Sequence, residues 1–197
     1  CNGTLTSFAS TSSQDQAAGT GWTTNNKRWA AGALMLDATD DYVTVPDNNA
    51  LSFGNGGTDN PFSISTWINR SDMSTERWIV NKRGNASNDE YQLTIGGSRI
   101  GLTLFSNGSS TVYIGRGTTS TYNPNTWYNV VATYDGSKTS NGIKIYVNGK
   151  LENSSDSSAG SYVGLNNYNQ PFIFGKAGWA AYQFTGIIDT TSLYSRT

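Results

Sequence analysis

The sequence predicts an all-β chain, a two-sheet antiparallel β-sandwich of the jelly-roll kind, and three observations carry that expectation. Helical periodicity is nearly absent. Short segments that alternate apolar and polar residues recur along the chain. Clusters of Gly, Asn, Asp and Ser separate them at turn-like intervals, so that about a dozen strands are expected.

The elements follow in order. Ala33–Asp37 and Tyr42–Val45 read as early strands, the second closed by Pro46-Asp47. Phe62–Ile68 is the clearest strand: Phe62, Ile64, Thr66 and Ile68 share one face, and Ser63, Ser65, Trp67 and Asn69 the other, because side chains alternate with period two. Glu90–Ile95, Ile100–Phe105, Thr111–Gly115, Trp127–Tyr134 and Ile143–Val147 continue the pattern, and Phe172–Phe174 and Phe184–Tyr194 close it. Asn148-Gly149 after Val147 predicts a two-residue hairpin, since both central residues of that turn need positive φ. Gly96-Gly97-Ser98 reads as another tight reversal. Ser10–Asn26 and Asn48–Asn60 lack a pattern and are expected to be long loops.

Composition narrows the chemistry. The 197 residues contain no histidine and one cysteine, Cys1, so Ser-His-Asp and Cys-His catalysis, Cys/His zinc sites and an intrachain disulfide are all excluded. Charged residues make up 14% and the formal charge is −1, without a basic run, which argues against a nucleic-acid surface. No apolar run is long enough to predict membrane insertion. A surface of Ser, Thr, Asn and Gly with few charges suits a secreted, cell-surface or virion-surface protein. The length suits one domain over 1–197, and the absence of an initiator Met leads to the expectation of a piece of a longer protein whose other domains are its partners.

Several motifs in order resemble the LamG-like (laminin G-like) members of the concanavalin A-like lectin/glucanase superfamily. These are Gly3-Thr4-Leu5-Thr6; Ala33-Leu-Met-Leu-Asp37 followed by Asp40-Asp41-Tyr42-Val43; Phe62-Ser-Ile-Ser-Thr-Trp67; Trp127–Asp135 with Ile145–Lys150; and Phe174-Gly175 with Phe184–Asp189. The chain departs from the pattern at Ala38, where Gly is usual, and at Thr190-Thr-Ser-Leu193, where an acidic-then-apolar continuation is preferred. The resemblance implies a jelly roll whose usual work is non-catalytic glycan binding. It also implies a structural calcium, with Asp189 as the first candidate ligand and Asp40 and Asp37 next, a role oxygen donors fill without histidine. The competing reading of these aspartates is as acceptors for turn amides.

Superfamily members that cleave β-glucans carry closely spaced carboxylates on one strand, whereas Glu76, Glu90 and Glu152 each lack a carboxylate two residues away. The expectation is therefore no enzyme. Pentraxins, more distant relatives, use loops corresponding to Asn88-Asp89-Glu90 and Lys176–Trp179 for a calcium pair. Here the second loop presents Lys176 and Trp179 instead of carboxylates. The expected replacement is a sugar site, an aromatic plate beside hydrogen-bonding groups, made of Trp179, Tyr182, Asn88, Asp89, Tyr91 and Trp78. Lys82-Arg83 reads either as a solvated charge pair or as a contact for an acidic glycan. The leading functional expectation is a lectin-like module for adhesion or substrate targeting, with a glycan or cell-surface polysaccharide as partner. A structural or protein-binding spacer and a glycoside hydrolase are the alternatives.

Overall fold

The computed structural model describes residues 4–6, 21–29, 31–39, 41–84, 87–176 and 182–196. Its strands are β1 (Thr4–Thr6), β2 (Gly21–Thr23), β3 (Ala33–Asp37), β4 (Tyr42–Val45), β5 (Phe62–Asn69), β6 (Arg77–Lys82), β7 (Asp89–Gly96), β8 (Arg99–Gly108), β9 (Tyr113–Thr118), β10 (Tyr128–Tyr134), β11 (Ile143–Val147), β12 (Lys150–Leu151), β13 (Ser154–Ala159), β14 (Phe172–Phe174) and β15 (Thr185–Tyr194). They form two antiparallel sheets. One has eight strands in the order β1-β4-β14-β6-β7-β8-β9-β13, and the other seven in the order β12-β11-β10-β5-β15-β3-β2. All-β sandwich architecture is thus what the patterning foretold.

The alternation in β5 works as expected. Phe62, Ile64, Thr66 and Ile68 are fully buried, and the one hydroxyl among them meets Thr191 Oγ1 at 2.8 Å. From the facing sheet come Tyr91, Leu93, Ile95, Ile100, Leu102 and Leu104, all fully buried in the same core. Each such aliphatic side chain contributes about 1.5–3 kcal/mol by leaving water. At one end Phe53 stacks on Phe62 with centroids 4.3 Å apart, and Tyr91 tilts against Phe62 at 5.3 Å.

Both tight turns form as the residues require. Asn148 and Gly149 have φ of 52° and 79°, and Gly97 and Ser98 have 56° and 58°, each pair closing a two-residue hairpin. The stretch Asn48–Asn60 is a structured loop. It holds a 3-10 turn over Asn49–Leu51, and its Asp59 is a buried hub, accepting from the hydroxyls of Tyr134 (2.7 Å) and Tyr162 (2.8 Å) and from the amide of Leu165 (2.7 Å). Within the other expected loop, Gly21–Thr23 forms a strand against β3.

β13 was not expected. Its sequence, Ser154-Ser-Asp-Ser-Ser-Ala159, has no apolar alternation, and as the edge strand of its sheet it is largely exposed and draws its order from pairing with β9.

Candidate functional site

The same alternation that fills the core leaves a polar outer face on the eight-stranded sheet. In register across it run Asn81, Gln92, Thr103, Gly115 and Ser157, and beside them Trp78, Thr94, Gly101, Gly117 and Ser155. Gly101 and Gly117 face one another with ordinary backbone dihedrals. A Cβ there would come no closer than 3.5 and 3.7 Å to its neighbours, so the fold would admit a side chain at both. Glycine weakens a strand interior, and here it keeps the track smooth.

At one end of this track the side chains form a layered stack. Tyr182, half-buried, lies nearly parallel to Trp78, with centroids 5.8 Å apart and planes 10° apart. The Arg83 guanidinium packs on the same indole at 4.6 Å and on Phe105 at 4.1 Å. Arg83 also pairs with Asp89 at 2.6 Å and donates to Gln92 Oε1. The loop bearing Tyr182 is pinned at its neck by the amide of Phe184 donating to Gly175 O (2.7 Å), and at its start by Asn81 Nδ2 donating to Lys176 O (2.6 Å).

Just inside this rim is a second buried ion pair. Lys82 Nζ lies 2.5 Å from Glu90 Oε1 and 2.8 Å from Asp47 Oδ1, with Lys82 and Glu90 fully buried. Lys82 also donates to Tyr168 O (2.7 Å), while Glu90 accepts from Tyr168 N (2.9 Å). The pair therefore clamps both backbone groups of one residue in the loop between β13 and β14. Burial pushes the carboxyls of Glu90 and Asp89 above the ordinary range, opposed by Lys82 and Arg83 respectively.

Of the residues expected to bind sugar, the structure brings Trp78, Asp89 and Tyr182 together through Arg83. Asn88 is exposed at the neighbouring turn with φ of 64°. Tyr91 must be corrected: it is fully buried among Phe53, Phe62 and Phe172, and its hydroxyl donates to Leu51 O at 2.7 Å, because it shares the inward face with Leu93 and Ile95. Trp78 and Asp89 are likewise 2% and 0% exposed, so they support the site from beneath and offer a ligand no face of their own. Trp179 lies outside the described residues. Arg83 is the residue that the sequence reading undervalued. Its signal was present, since Lys82-Arg83 and Asp89-Glu90 flank one turn and antiparallel pairing sets bases against acids.

Asp37 and Asp189, two of the residues proposed for calcium, stand apart on the sheet. Thr185 of β15 pairs with Asp37, and Asp189 lies four residues further along, roughly 13 Å away at strand spacing. Asp189 Oδ2 accepts from the amides of Arg28 (2.7 Å) and Trp29 (2.8 Å), and its Oδ1 accepts from Thr190 Oγ1 (2.7 Å). Asp37 Oδ1 accepts from Thr39 N, and Asp41 Oδ2 from Asp37 N. These N–H and O–H surroundings suit carboxylates held by turns and do not fit a cation. Among the described residues no three acidic, His or Cys side chains gather as a metal would require, and Asp40 lies outside them.

Catalytic carboxylates find no better geometry. Asp47 and Glu90 meet only through Lys82 Nζ, which fills the space between them, and Glu90 is inaccessible. Glu76 is exposed beside the β7–β8 turn, and Glu152 accepts from Ser120 Oγ at another edge.

A laminin G family model, described as the concanavalin A-like lectin/glucanases superfamily, matches residues 37–197. The chain belongs to that superfamily. No curated protein matches the sequence. Among solved structures, the receptor-binding domain of botulinum neurotoxin mosaic serotype C/D is similar with a TM-score of 0.64 and 19% identity, over 99% of this chain and 42% of that one. The serotype D binding domain gives 0.61 and 21% identity over 89% and 42%, and the type G receptor-binding domain 0.59 and 16% over 99% and 43%. Each shares the fold, and this superfamily member spans about two-fifths of their length.

Proposed function

We propose that the protein is a non-catalytic, lectin-like carbohydrate-binding module that serves adhesion or substrate targeting in a larger secreted, cell-surface or virion protein. The observation that carries this reading is the Tyr182 ring, half-exposed and held flat on Trp78, which Arg83 backs from its own packing on Phe105. A ring fixed in this way meets the C–H face of a pyranose with little entropy left to lose. Beside it Gln92, Thr94 and Thr103 supply amide and hydroxyl groups for sugar hydroxyls, and the glycine-smoothed track gives a glycan room to continue. Arg83 is engaged by Asp89 and Gln92, so this site favours neutral sugars.

The test is a glycan array followed by titration of the best neutral oligosaccharide. Tyr182→Ala and Gln92→Ala are expected to weaken binding by about tenfold each, as for loss of one stacking or hydrogen-bonding contact, with melting curves confirming that each variant is folded. A module that binds no glycan, or one whose binding survives both substitutions, overturns the reading.

A further inference from the structure

The opposite side of the sandwich holds a different aromatic arrangement. On the outer face of the seven-stranded sheet, Trp67 is flanked across its neighbouring strands by Asn129 and Asp189. The segment after β2 folds onto it. Trp29 meets Trp67 with centroids 6.4 Å apart at 59°, and the Arg28 guanidinium lies 4.9 Å from the Trp67 ring centre. Trp29 is 57% exposed. Exposure alone would mean little, since single apolar side chains are common on surfaces.

What distinguishes this one is how it is held. Asp189, 2% exposed, spends one oxygen on the consecutive amides of Arg28 and Trp29. That fixes the backbone from which the indole and the guanidinium project, so both are arranged before any ligand arrives. No ion pair among the described residues includes Arg28, in contrast to Arg83 on the other sheet. A planar guanidinium without a carboxylate partner among the described residues, resting on one indole and adjacent to a second exposed one, combines a carboxylate fork with a stacking surface.

We propose that Arg28, Trp29 and Asn129 form a second binding site that takes a pyranose bearing a carboxylate. The sugar face stacks on Trp29, the carboxylate pairs with Arg28, and the Asn129 amide serves a hydroxyl. The site lies on the other sheet and does not depend on the Tyr182 reading. Occupied together, the two sites would let one module engage a neutral and an acidic sugar on opposite faces.

The experiment titrates the whole chain, by calorimetry and tryptophan fluorescence, with trigalacturonate against its methyl ester and with 3′-sialyllactose against lactose. At least one acidic probe is expected to bind about tenfold or more tightly than its neutral counterpart, the scale of one charge-assisted hydrogen bond. Which probe does so separates a uronic from a sialic source. Arg28→Gln should erase the preference and Trp29→Ala should weaken the acidic probe by about tenfold, with melting curves confirming that each variant is folded. Equal binding of acidic and neutral probes, or a preference that survives Arg28→Gln, overturns the proposal.

Discussion

Replacing Lys82 with Met removes the one cation among the described residues that pairs with Glu90, and the consequences can be worked from the contacts. Lys82 Nζ makes three close contacts, to Glu90, Asp47 and Tyr168 O, in a fully buried position. Without it Glu90 keeps the Tyr168 amide as donor but loses its counter-charge in a place water does not reach. Breaking one side of a buried pair costs about 3–5 kcal/mol. For a chain of this length each kcal/mol lowers the melting temperature by about 2–4 °C, so a drop of roughly 6–20 °C is expected. The shape of Met matches the aliphatic stem, so packing loss contributes little. Urea unfolding followed by tryptophan fluorescence gives the free energy, and calorimetry the midpoint. The double variant Lys82→Met with Glu90→Leu removes both charges and should lose clearly less than the two single losses added, a coupling of about 0.5–3 kcal/mol for residues in contact. A Lys82→Met loss below about 1 kcal/mol, or strict additivity in the double variant, would refute the claim that this pair is a desolvated clamp on the Tyr168 loop.

Three further outcomes follow from other contacts. Ala38 has φ of 69°, where a Cβ is strained by about 1–2 kcal/mol, so Ala38→Gly, after its entropic cost of about 0.5–1 kcal/mol, should raise the melting temperature by a few degrees. An unchanged or lowered midpoint would contradict it. Asp189→Ala should cost roughly 1.5–3 kcal/mol, because a charged acceptor for two amides is lost, and should shift the Trp29 emission. Stability against pH should peak in weak acid. Glu90 and Asp89 are raised by burial, so from about pH 4 upward the folded chain binds more protons than the unfolded one and stability falls as they ionise. Asp135, lowered by its hydrogen bonds from Ser137, works the other way: its contribution is present above about pH 4 and is lost as pH falls through its folded value. A urea midpoint that falls nowhere above about pH 4 would contradict the assignment for the buried pair.

How far the site could be read in advance depended on the reach of each interaction. Asn148-Gly149 and the alternation in Phe62–Ile68 are local devices, and they appear at the residues expected. The departure at Ala38 was also visible, and the left-handed dihedral explains why glycine is usual there. The burial of Tyr91 was legible too, since it stands two and four residues before Leu93 and Ile95 on one strand face, but its hydroxyl drew it into the sugar site. Nothing local reveals that residues 160 and 161 positions earlier supply Asp189 with two amide donors. Lys82 and Arg83 read as a solvated pair or a contact for an acidic glycan, and neither reading foresaw their burial, since burial of a charged residue is decided by the loops that cover it.

By itself, then, the sequence determined the class of fold, the inward face of the long strands, the two tight turns and the exclusion of histidine and thiol chemistry. These depend on dihedral preference, period-two patterning and simple presence or absence, which need no knowledge of distant contacts. Tertiary structure decided which aromatics reach solvent, which carboxylates are spent on amides or ammonium groups, and that Trp29 on one sheet is exposed while Tyr182 on the other is half-buried against Trp78. Those properties belong to pairs of residues far apart in the chain, and only the stacking of two sheets brings such pairs within hydrogen-bonding distance.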